Sequence, residues 1–358
     1  MQEESKTITS RTYKCKSCGN FLHYDPTSKR LKCDHCSSFY DLEPVGDAME
    51  VSYDDNTEQG FEAWGEVKCV KCKSCGAVTV LNEYDMTGNC PFCGANNVVS
   101  ADELPGLKPT GILPFGVAKE TAVQNFKTWI KKKLFAPSKF KKNNKKEDVS
   151  GIYLPVFTFD CNASTPYTIR YGEYYYVTVG SGKNRRTVQK TRWYVDSGFV
   201  TRGYDDIQIE ASKMIEQNDL VGMGGFDSGN SCGYHSQFLA GYQGERYSTS
   251  LDDCWNRAVG IINDNLEEVI KSKYTYDVLD YVKINPSYAN KKYKYIFVPI
   301  WLISYHYNKK LYNDYVNGRS GIVTGKYPKS APKIASFCIF ALAVIFGLAY
   351  IAYRFFAG

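Results

Sequence analysis

The sequence has no apolar run near its N-terminus, so no secretory signal is expected. It also lacks nucleotide-binding signatures. Residues 321–326 superficially resemble a phosphate-binding loop, but their two glycines are one residue too close, and Tyr327 stands where serine or threonine is required. Residues 222–225 are rich in glycine but have no third glycine in the register of a dinucleotide-binding loop. These absences argue against a nucleotide-driven enzyme such as a helicase.

Side chains in a catalytic pattern are also scarce. Asp227, Cys232 and His235 lie close in the sequence and are a candidate Cys–His nucleophile. Closeness in sequence does not establish the hydrogen-bond geometry that such a pair needs. We therefore predict no catalytic residues, no organic cofactor and no enzymatic activity.

Cysteine, by contrast, is abundant and regularly spaced. The chain has 13 cysteines, and nine of them fall between positions 15 and 93. Eight of these form two series with the same C-x2-C-x14-C-x2-C spacing: Cys15, Cys18, Cys33 and Cys36, followed by Cys72, Cys75, Cys90 and Cys93. The first pair of each series stands in the hexapeptide Lys-Cys-Lys-Ser-Cys-Gly, which occurs at residues 14–19 and 71–76, an internal repeat with an offset of 57 residues.

This spacing is typical of zinc ribbons. Four thiolates hold zinc in a tetrahedron, and each C-x2-C turn presents two of them to one side of the ion. Gly19, Gly76 and Gly94 follow cysteines and suit the positive φ of such turns. Ribbons this small cannot bury enough surface to fold alone, so the metal supplies the stability. We predict that the chain binds two zinc ions through the eight cysteines.

A disulfide pairing and three further possible ligands are the alternatives to this prediction. A disulfide pair in a secreted module is the alternative, and it conflicts with the missing secretory signal. Cys69 precedes Cys72 by three residues and competes as a ligand, although the repeat register favours Cys72 and Cys75. His23 and His35 lie inside the first ribbon and are expected to be bystanders, because four cysteines complete the site.

An uncharged run of twenty residues, 334–353, lies near the C-terminus. At about 1.5 Å per residue a helix of this length spans about 30 Å, the thickness of a bilayer core. A buried helix of a soluble protein is the alternative, although such runs are usually shorter. Lys326, Lys329 and Lys333 precede the run and Arg354 follows it, so the positive-inside rule places residues 1 to about 330 in the cytoplasm. We predict a single-pass cell-membrane protein with the bulk of its chain cytoplasmic.

The overall charge does not predict a polycation. The formal net charge is +6, and eight thiolates with two zinc ions lower it to about +2. One local patch, between residues 127 and 146, holds nine lysines. Helical spacing of apolar residues predicts a helix at about 118–134 with lysine at its C-terminal end, as the helix dipole favours. The patch is open to three interpretations: a solvated face, attraction to anionic lipid headgroups, or contact with a phosphate backbone.

The residues between the ribbons and the span predict one α+β unit, or two related halves. Residues 152–159 resemble residues 296–303, and each segment has a proline inside a β-branched and aromatic run, which predicts strand starts or edges. Residues 171–179 and 187–200 also predict strands, joined by a turn at 180–182.

A helix is predicted after Ser250, because Ser250 and Asp253 resemble a capping box before an amphipathic stretch. The predicted fold class is therefore two small four-cysteine zinc ribbons, an α+β, β-rich domain and one C-terminal transmembrane helix. The predicted domains are 1–45 (first ribbon), 46–104 (linker and second ribbon), 105–330 (cytoplasmic body) and 331–358 (anchor).

Short motifs outside the ribbons add a resemblance to a known family. They are residues 113–115 (Leu-Pro-Phe), 153–157 (Tyr-Leu-Pro-Val-Phe), Asp205-Asp206 ahead of Ala211-Ser212, 299–301 (Pro-Ile-Trp) and 316–318 (Val-Asn-Gly). With the two ribbons they resemble a bacterial family of TFIIB-type zinc-ribbon proteins, many of which carry the label of primosomal replication protein or replicative helicase. Similar zinc-ribbon membrane proteins sit with phage-shock and SPFH-type proteins in some bacteria, which implies a role in recruiting cytosolic membrane-stress proteins.

The ribbons, the span and the resemblance together favour a membrane-anchored adapter that recruits a cytosolic protein partner. In this hypothesis the ribbons project into the cytoplasm, with Phe21, Phe39 and Phe92 as docking side chains, while the body spaces them from the bilayer. The alternative is a membrane-tethered nucleic-acid-binding protein whose ribbons and lysine patch contact DNA or RNA. Salt distinguishes the two, because phosphate binding weakens steeply with ionic strength.

Overall fold

The computed structural model describes residues 13–54, 69–80, 90–93, 95, 98–101, 107–142, 148–308 and 310–357. It confirms the predicted fold class: two four-cysteine clusters near the N-terminus, a β-rich domain after them and, among the described residues, one apolar helix towards the C-terminus. The described strands are β1 (Leu22–Asp25), β2 (Arg30–Cys33), β3 (Phe39–Tyr40), β4 (Val51–Ser52), β5 (Cys69–Cys72), β6 (Val78–Val80), β7 (Val98–Ala101), β8 (Gly111–Ile112), β9 (Asp148–Val179), β10 (Arg186–Glu210), β11 (Cys232–Gly233), β12 (Gln243–Glu245), β13 (Val278–Ile284), β14 (Ser287–Tyr307), β15 (Lys310–Asn317) and β16 (Val323–Gly325). The described α-helices are α1 (Lys119–Lys132), α2 (Ser138–Lys142), α3 (Gln217–Gly222), α4 (Leu251–Lys271) and α5 (Ala331–Ala357).

The centre of the molecule is the antiparallel pair of β9 and β14, which run side by side from Asp148 opposite Ser304 to Ser164 opposite Ser287. Both strands cross the core as continuous buried apolar runs, because both faces of the sheet are covered. Alternate side chains point to opposite faces of a strand, so this pair separates two hydrophobic layers. One layer contains the first ribbon, α1 and α4, and the other contains the second ribbon and α3.

Two prolines lie in the middle of these central strands. Pro155 is in β9 and Pro299 is in β14, so the expectation that each marks a strand start or an edge is wrong. β12 ends its pairing with β9 at Tyr153, and β10 begins its pairing there at Val156. Pro299 lies in the equivalent gap of β14, between the stretches that pair with β8 and with β15. A missing N–H at such a gap costs no ladder hydrogen bond.

The two predicted helices are confirmed. α1 buries Ala122, Phe126 and Ile130 at the predicted helical spacing. At the start of α4, the Ser250 hydroxyl accepts a hydrogen bond of 3.1 Å from the Asp253 N–H, as the capping box requires. α1 ends at Lys132, two residues before the predicted end at about residue 134.

Both ribbons are attached to the body by backbone hydrogen bonds. The first ribbon forms its own three-stranded sheet, β1–β2–β3. It docks through Tyr24, whose N–H donates to the Ala240 carbonyl (2.9 Å) and whose carbonyl accepts from the Tyr242 hydroxyl (3.1 Å). The second ribbon belongs to the large sheet, because β6 pairs with β12, which in turn pairs with β9.

The hairpin of β9 and β10 is longer than predicted. The strands at 171–179 and 187–200 and the turn at 180–182 are confirmed, but β9 has 32 residues and β10 has 25. β13 runs alongside β9 only as far as the pair Val278–Gly172. Beyond that pair the hairpin extends as a two-stranded ribbon.

The C-terminal helix α5 leaves the body at the opposite end of β9 from the hairpin tip. The Ser330 N–H donates to the Phe135 carbonyl (2.8 Å), and the Phe337 ring lies 5.4 Å from the Phe135 ring. Almost all described side chains of α5 after Phe337 are exposed. Residues 331–355 form a helix of 25 residues that is long and apolar enough to cross a membrane, and the predicted span lies inside it.

Candidate metal centres

The first candidate metal centre joins two turns of the first ribbon. Cys15 and Cys18 lie before β1, Cys33 ends β2, and Cys36 lies in the next turn. The Sγ atoms of Cys15 and Cys36 are 3.4 Å apart, and those of Cys18 and Cys33 are 3.5 Å apart. All four sulfurs lie within 4.8 Å of one another.

The second centre repeats this arrangement. The Sγ atoms of Cys72 and Cys93 are 3.5 Å apart, and those of Cys75 and Cys90 are 3.6 Å apart. The four sulfurs again lie within 4.8 Å of one another. The predicted repeat of 57 residues is therefore a repeat of geometry as well as of sequence.

The turns that present the sulfurs share one backbone design. The N–H four residues after the first cysteine donates back to that cysteine's carbonyl: Gly19 to Cys15 (2.8 Å) and Gly76 to Cys72 (2.9 Å). Both glycines have positive φ, 75° and 79°, as predicted. Ser37 fills the same position after Cys33 with φ of 58°. Gly94, the third predicted glycine, lies outside the described residues.

Each four-sulfur group fits a tetrahedrally coordinated metal ion. Sulfurs about 2.3 Å from a central zinc are roughly 3.8 Å from one another, close to the separations here. Sulfurs this close cannot all be ionised without a cation between them. The thiol pKa values reflect this, because one thiol of the centre has a lowered pKa and another has a raised pKa. The Tyr40 hydroxyl lowers the pKa of Cys15 to about 5, whereas the pKa of Cys18 rises to about 12 despite the Asn20 N–H, because of burial and the neighbouring sulfurs.

The second centre also combines lowered and raised thiol pKa values, and its sulfurs are better shielded from solvent. Burial opposes ionisation of Cys72, but the N–H groups of Cys75 and Ser74 lower its pKa to about 6. Burial raises the pKa of Cys90 to about 11 and also raises that of Cys75. Cys75 and Cys93 are half-buried here, whereas Cys18 and Cys36 of the first centre are exposed.

Three other residues of the ribbons that were singled out from the sequence, His23, Cys69 and Phe92, have partners or positions of their own. Nδ1 of His23 lies 3.3 Å from the Asp34 carboxylate, in an ion pair when the ring is protonated. Cys69 lies at the start of β5. Phe92 is buried, with 4% of its surface exposed, so its predicted role as an exposed docking side chain is wrong; its carbonyl accepts a hydrogen bond of 2.9 Å from Asn313.

The two side chains of the candidate Cys–His nucleophile, His235 and Cys232, form hydrogen bonds or ion pairs with other groups. Nε2 of His235 lies 3.2 Å from the Glu43 carboxylate, and its Nδ1 accepts from the Gln237 N–H at 3.4 Å. The Cys232 thiol donates to the Ile112 carbonyl at 3.4 Å, and burial raises its pKa. A thiol with a raised pKa and no histidine directed at it is a poor nucleophile.

A third group of possible ligands, which the sequence patterns missed, consists of Asp160, Asp205 and Asp206. The Asp206 N–H donates to the Asp160 carboxylate at 2.7 Å. The ammonium of Lys294, itself buried, lies 2.8 Å from the Asp206 carboxylate. Lys294 therefore supplies the positive charge that these carboxylates need.

Comparison with known proteins gives one distant relative. The chain is 25% identical, over 242 residues, to a Bacillus subtilis (strain 168) protein described as "Uncharacterized protein YdjG"; the match covers 66% of this chain and 69% of the relative. No protein-family model matches the chain. No solved structure matches it.

The seam between the second ribbon and the body contains a buried carboxyl group. Glu245 of β12 pairs with Thr79 of β6 and is 1% exposed. One of its oxygens accepts a hydrogen bond of 2.7 Å from the Ser212 hydroxyl, and the other has no hydrogen-bond partner among the described residues. Burial raises the pKa of Glu245 from its ordinary 4.5 to about 8.

This carboxyl group predicts a pH-dependent stability. Between about pH 4.5 and pH 8 the folded chain keeps a proton on Glu245 that the unfolded chain releases. Its contribution to stability is therefore lost as the pH rises through that window, by at most about 1.4 kcal/mol per pH unit. We expect Glu245→Gln to melt increasingly higher than the parent as the pH rises from 5.5 to 8.5, measured by tryptophan fluorescence in detergent. Glu120→Gln, at an exposed position, is the control, and parallel curves for parent and Glu245→Gln would contradict the prediction.

Proposed function

We propose that the chain is a membrane-anchored zinc-binding adapter that recruits cytosolic protein partners to the inner face of the membrane. The observation that carries the proposal is the exposure of two aromatic side chains on the first ribbon. It is fixed to the body by hydrogen bonds, yet Phe21 and Phe39 are 53% and 41% exposed. Exposed aromatic side chains on a rigid support are typical of protein-docking surfaces.

The surroundings of Phe39 favour a protein partner with acidic groups. The guanidinium of Arg30 and the ammonium of Lys32 both lie 5.9 Å from the centre of the Phe39 ring. Arg30 is already paired with Asp41 (2.8 Å), so Lys32 is the basic neighbour that can meet a carboxylate of a partner that also packs an apolar side chain on the ring. The resemblance to zinc-ribbon membrane proteins suggests phage-shock or SPFH-type proteins as that partner.

Zinc is the proposed metal at both centres. Four cysteine thiolates in a tetrahedron are the usual donor set of a structural zinc site, and such a site leaves no coordination position for a substrate. The metal would fix the turns of each ribbon. This agrees with the proposal that the chain is not an enzyme.

Orientation in the membrane follows from charge and redox chemistry. Three lysines, Lys326, Lys329 and Lys333, precede the hydrophobic segment of α5, and by the positive-inside rule they support a body on the cytoplasmic side. A reducing compartment also keeps thiolates free for metal binding. The body would then present the first ribbon to cytosolic proteins.

The proposal predicts that partner recruitment depends on the exposed ring pair. We expect Phe21→Ser with Phe39→Ser to reduce co-isolation of the partner with the detergent-solubilised full-length chain at least ~10-fold, since loss of two central contacts commonly has this effect. Co-isolated proteins are quantified by mass spectrometry after nuclease treatment. Zinc content should remain at about two ions, because neither ring is a ligand.

Two matched controls accompany this experiment. Met49→Ser with Val221→Ser removes two exposed apolar side chains elsewhere and should leave recruitment unchanged. Gln at Lys131, Lys132 and Lys133 should also leave it unchanged, whereas Cys15→Ser with Cys18→Ser should abolish it by disrupting the first ribbon, which presents Phe21 and Phe39. If the lysine variant alone abolishes the interaction and the lost component is nucleic acid, the alternative function replaces this one.

A further inference from the structure

The free end of the β9–β10 hairpin forms a distinct element that the adapter function does not use. We call residues 172–193 the arm. It begins where β13 ends its pairing with β9 and continues as two strands, with Tyr174 opposite Thr191 and Val179 opposite Arg186. Most of its described side chains are exposed.

The arm carries a concentrated positive charge. Residues 180–192 contain five basic side chains and no acidic one: Lys183, Arg185, Arg186, Lys190 and Arg192. The single carboxylate of the arm, Glu173, accepts a hydrogen bond of 3.3 Å from the Tyr194 hydroxyl. Among the described ion pairs, none neutralises Arg185, Arg186, Lys190 or Arg192. These cations are therefore available to an anionic partner, in contrast to the near-neutral chain as a whole.

Three exposed aromatic rings share one face of the hairpin. Trp193 is opposite Gly172, and Tyr174 and Tyr176 follow Gly172 on the same face. Their exposed fractions are 42%, 41% and 66%. A Cβ on Gly172 would lie 3.2 Å from the Trp193 ring, so glycine allows the indole to lie close to the strand. The guanidinium of Arg170 covers that indole at 4.9 Å.

The basic residues occupy the other face and the tip. Arg192 and Lys190 are opposite Glu173 and Tyr175, on the face away from Trp193. Rings and cations therefore lie together on both faces, because the Arg170 guanidinium covers Trp193 on one face and the Arg192 guanidinium lies 5.4 Å from the centre of the exposed Tyr175 ring on the other. Cationic grooves and strands beside exposed rings are the features with which proteins bind single strands, because phosphates pair with the cations while bases stack on the rings.

The position of the arm argues against headgroups of the chain's own membrane as its ligand. α5 leaves the body near the Asp148 end of β9, and the arm lies at the Val179 end. A strand of 32 residues extends over as much as about 100 Å, at about 3.3 Å per residue. The tip therefore lies at the other end of β9 from the helix that would enter the membrane.

We propose that the arm binds single-stranded nucleic acid. Arg185, Arg186 and Arg192 contact the phosphates, and bases stack on Tyr174, Tyr176 and Trp193. The ligand follows from charge complementarity and from the exposed rings together, because phosphates pair with cations while bases stack on flat aromatic faces. The inference does not depend on the first ribbon, so it holds or fails independently of the adapter function.

The test uses the zinc-loaded full-length chain in a non-ionic detergent and a fluorescein-labelled 15-nucleotide oligo-dT, with anisotropy measured between 50 and 300 mM NaCl. We expect binding whose logarithm falls linearly with the logarithm of salt concentration. Gln at Arg185, Arg186 and Arg192 should weaken binding at least ~10-fold and reduce the salt slope by about 2, from roughly 0.7 per phosphate contact. Leu at Tyr174, Tyr176 and Trp193 should weaken binding at least ~10-fold without changing the slope.

The controls decide between the arm and other surfaces. Gln at Lys131, Lys132 and Lys133 removes the same charge from α1 and its end and should change affinity less than twofold. All variants are checked for two zinc ions and parental melting, so that unfolding is not mistaken for lost binding. Equal loss in the lysine variant, equal affinity for a duplex of the same length, no effect of the ring substitutions, or stronger binding to phosphatidylglycerol vesicles than to oligo-dT would each overturn the proposal.

Discussion

Cys90→Ser is expected to reduce the zinc content of the purified chain from about two ions to about one and to lower its melting temperature strongly. Cys90 belongs to the second ribbon, whose strand β6 pairs with β12 in the large sheet. Zinc binding to a four-cysteine site supplies about 10–16 kcal/mol, as much as the entire stability of a typical domain. Loss of this ion should therefore destabilise the body as well as the ribbon.

Cys15→Ser, the corresponding variant of the first centre, is the matched comparison for this prediction. That variant should also lose one zinc ion, but its melting temperature should fall less, because the first ribbon forms a sheet of its own and adds no strand to the large sheet of the body. Cys338→Ser, in the exposed helix α5, should keep both ions. Zinc is measured by inductively coupled plasma mass spectrometry and melting by tryptophan fluorescence in detergent. One ion per parental chain would show that one ribbon does not bind metal.

Removal of the C-terminal helix is expected to move the chain from the membrane to the aqueous fraction. The parent should require detergent for extraction, because the exposed apolar side chains of α5 span about 30 Å of hydrocarbon. A chain that ends before Ile334 should partition almost completely into water. Phase separation with a cloud-point detergent measures this, and two bound zinc ions show that the shortened chain is folded.

A second variant separates anchoring from chain length. Arg at both Ile345 and Leu348, in the middle of α5, should impair insertion without removing any residue, since each charge in the bilayer centre costs about 2.5–3.5 kcal/mol. Protease added outside intact cells should leave the ribbons of the parent uncut. Aqueous partitioning of the parent would refute the anchor, and external cleavage in the ribbons would reverse the topology.

The features that local sequence encodes could be predicted. The cysteine clusters follow from the spacing, because two C-x2-C turns have few ways to present four sulfurs to one ion. α1 and α4 follow from helical spacing and, for α4, from the Ser250 cap. The span follows from its length and composition. In each case the determining residues lie within about 25 positions of one another.

The features that depend on distant partners could not be predicted. Pro155 suggested an edge, because the sequence does not show that the neighbouring strands leave a gap beside it. Phe92 suggested a docking ring, but it is buried in the hydrophobic layer that also contains Leu220 and Tyr315. Lys294 and Asp206 are 88 positions apart, so no local pattern indicated that they form an ion pair.

The pairing of the second ribbon with β12 also has a consequence for protein synthesis. Val80 pairs with Gly244, which is translated 164 residues later. At about 5–20 residues per second, the ribosome needs roughly 8 to 33 s to deliver that partner. During this interval the emerging ribbon has no neighbouring strand from β12, and a bound metal ion is what can hold its turns in place. The zinc concentration available during translation should therefore determine which fraction of the newly made chains folds and which fraction is degraded.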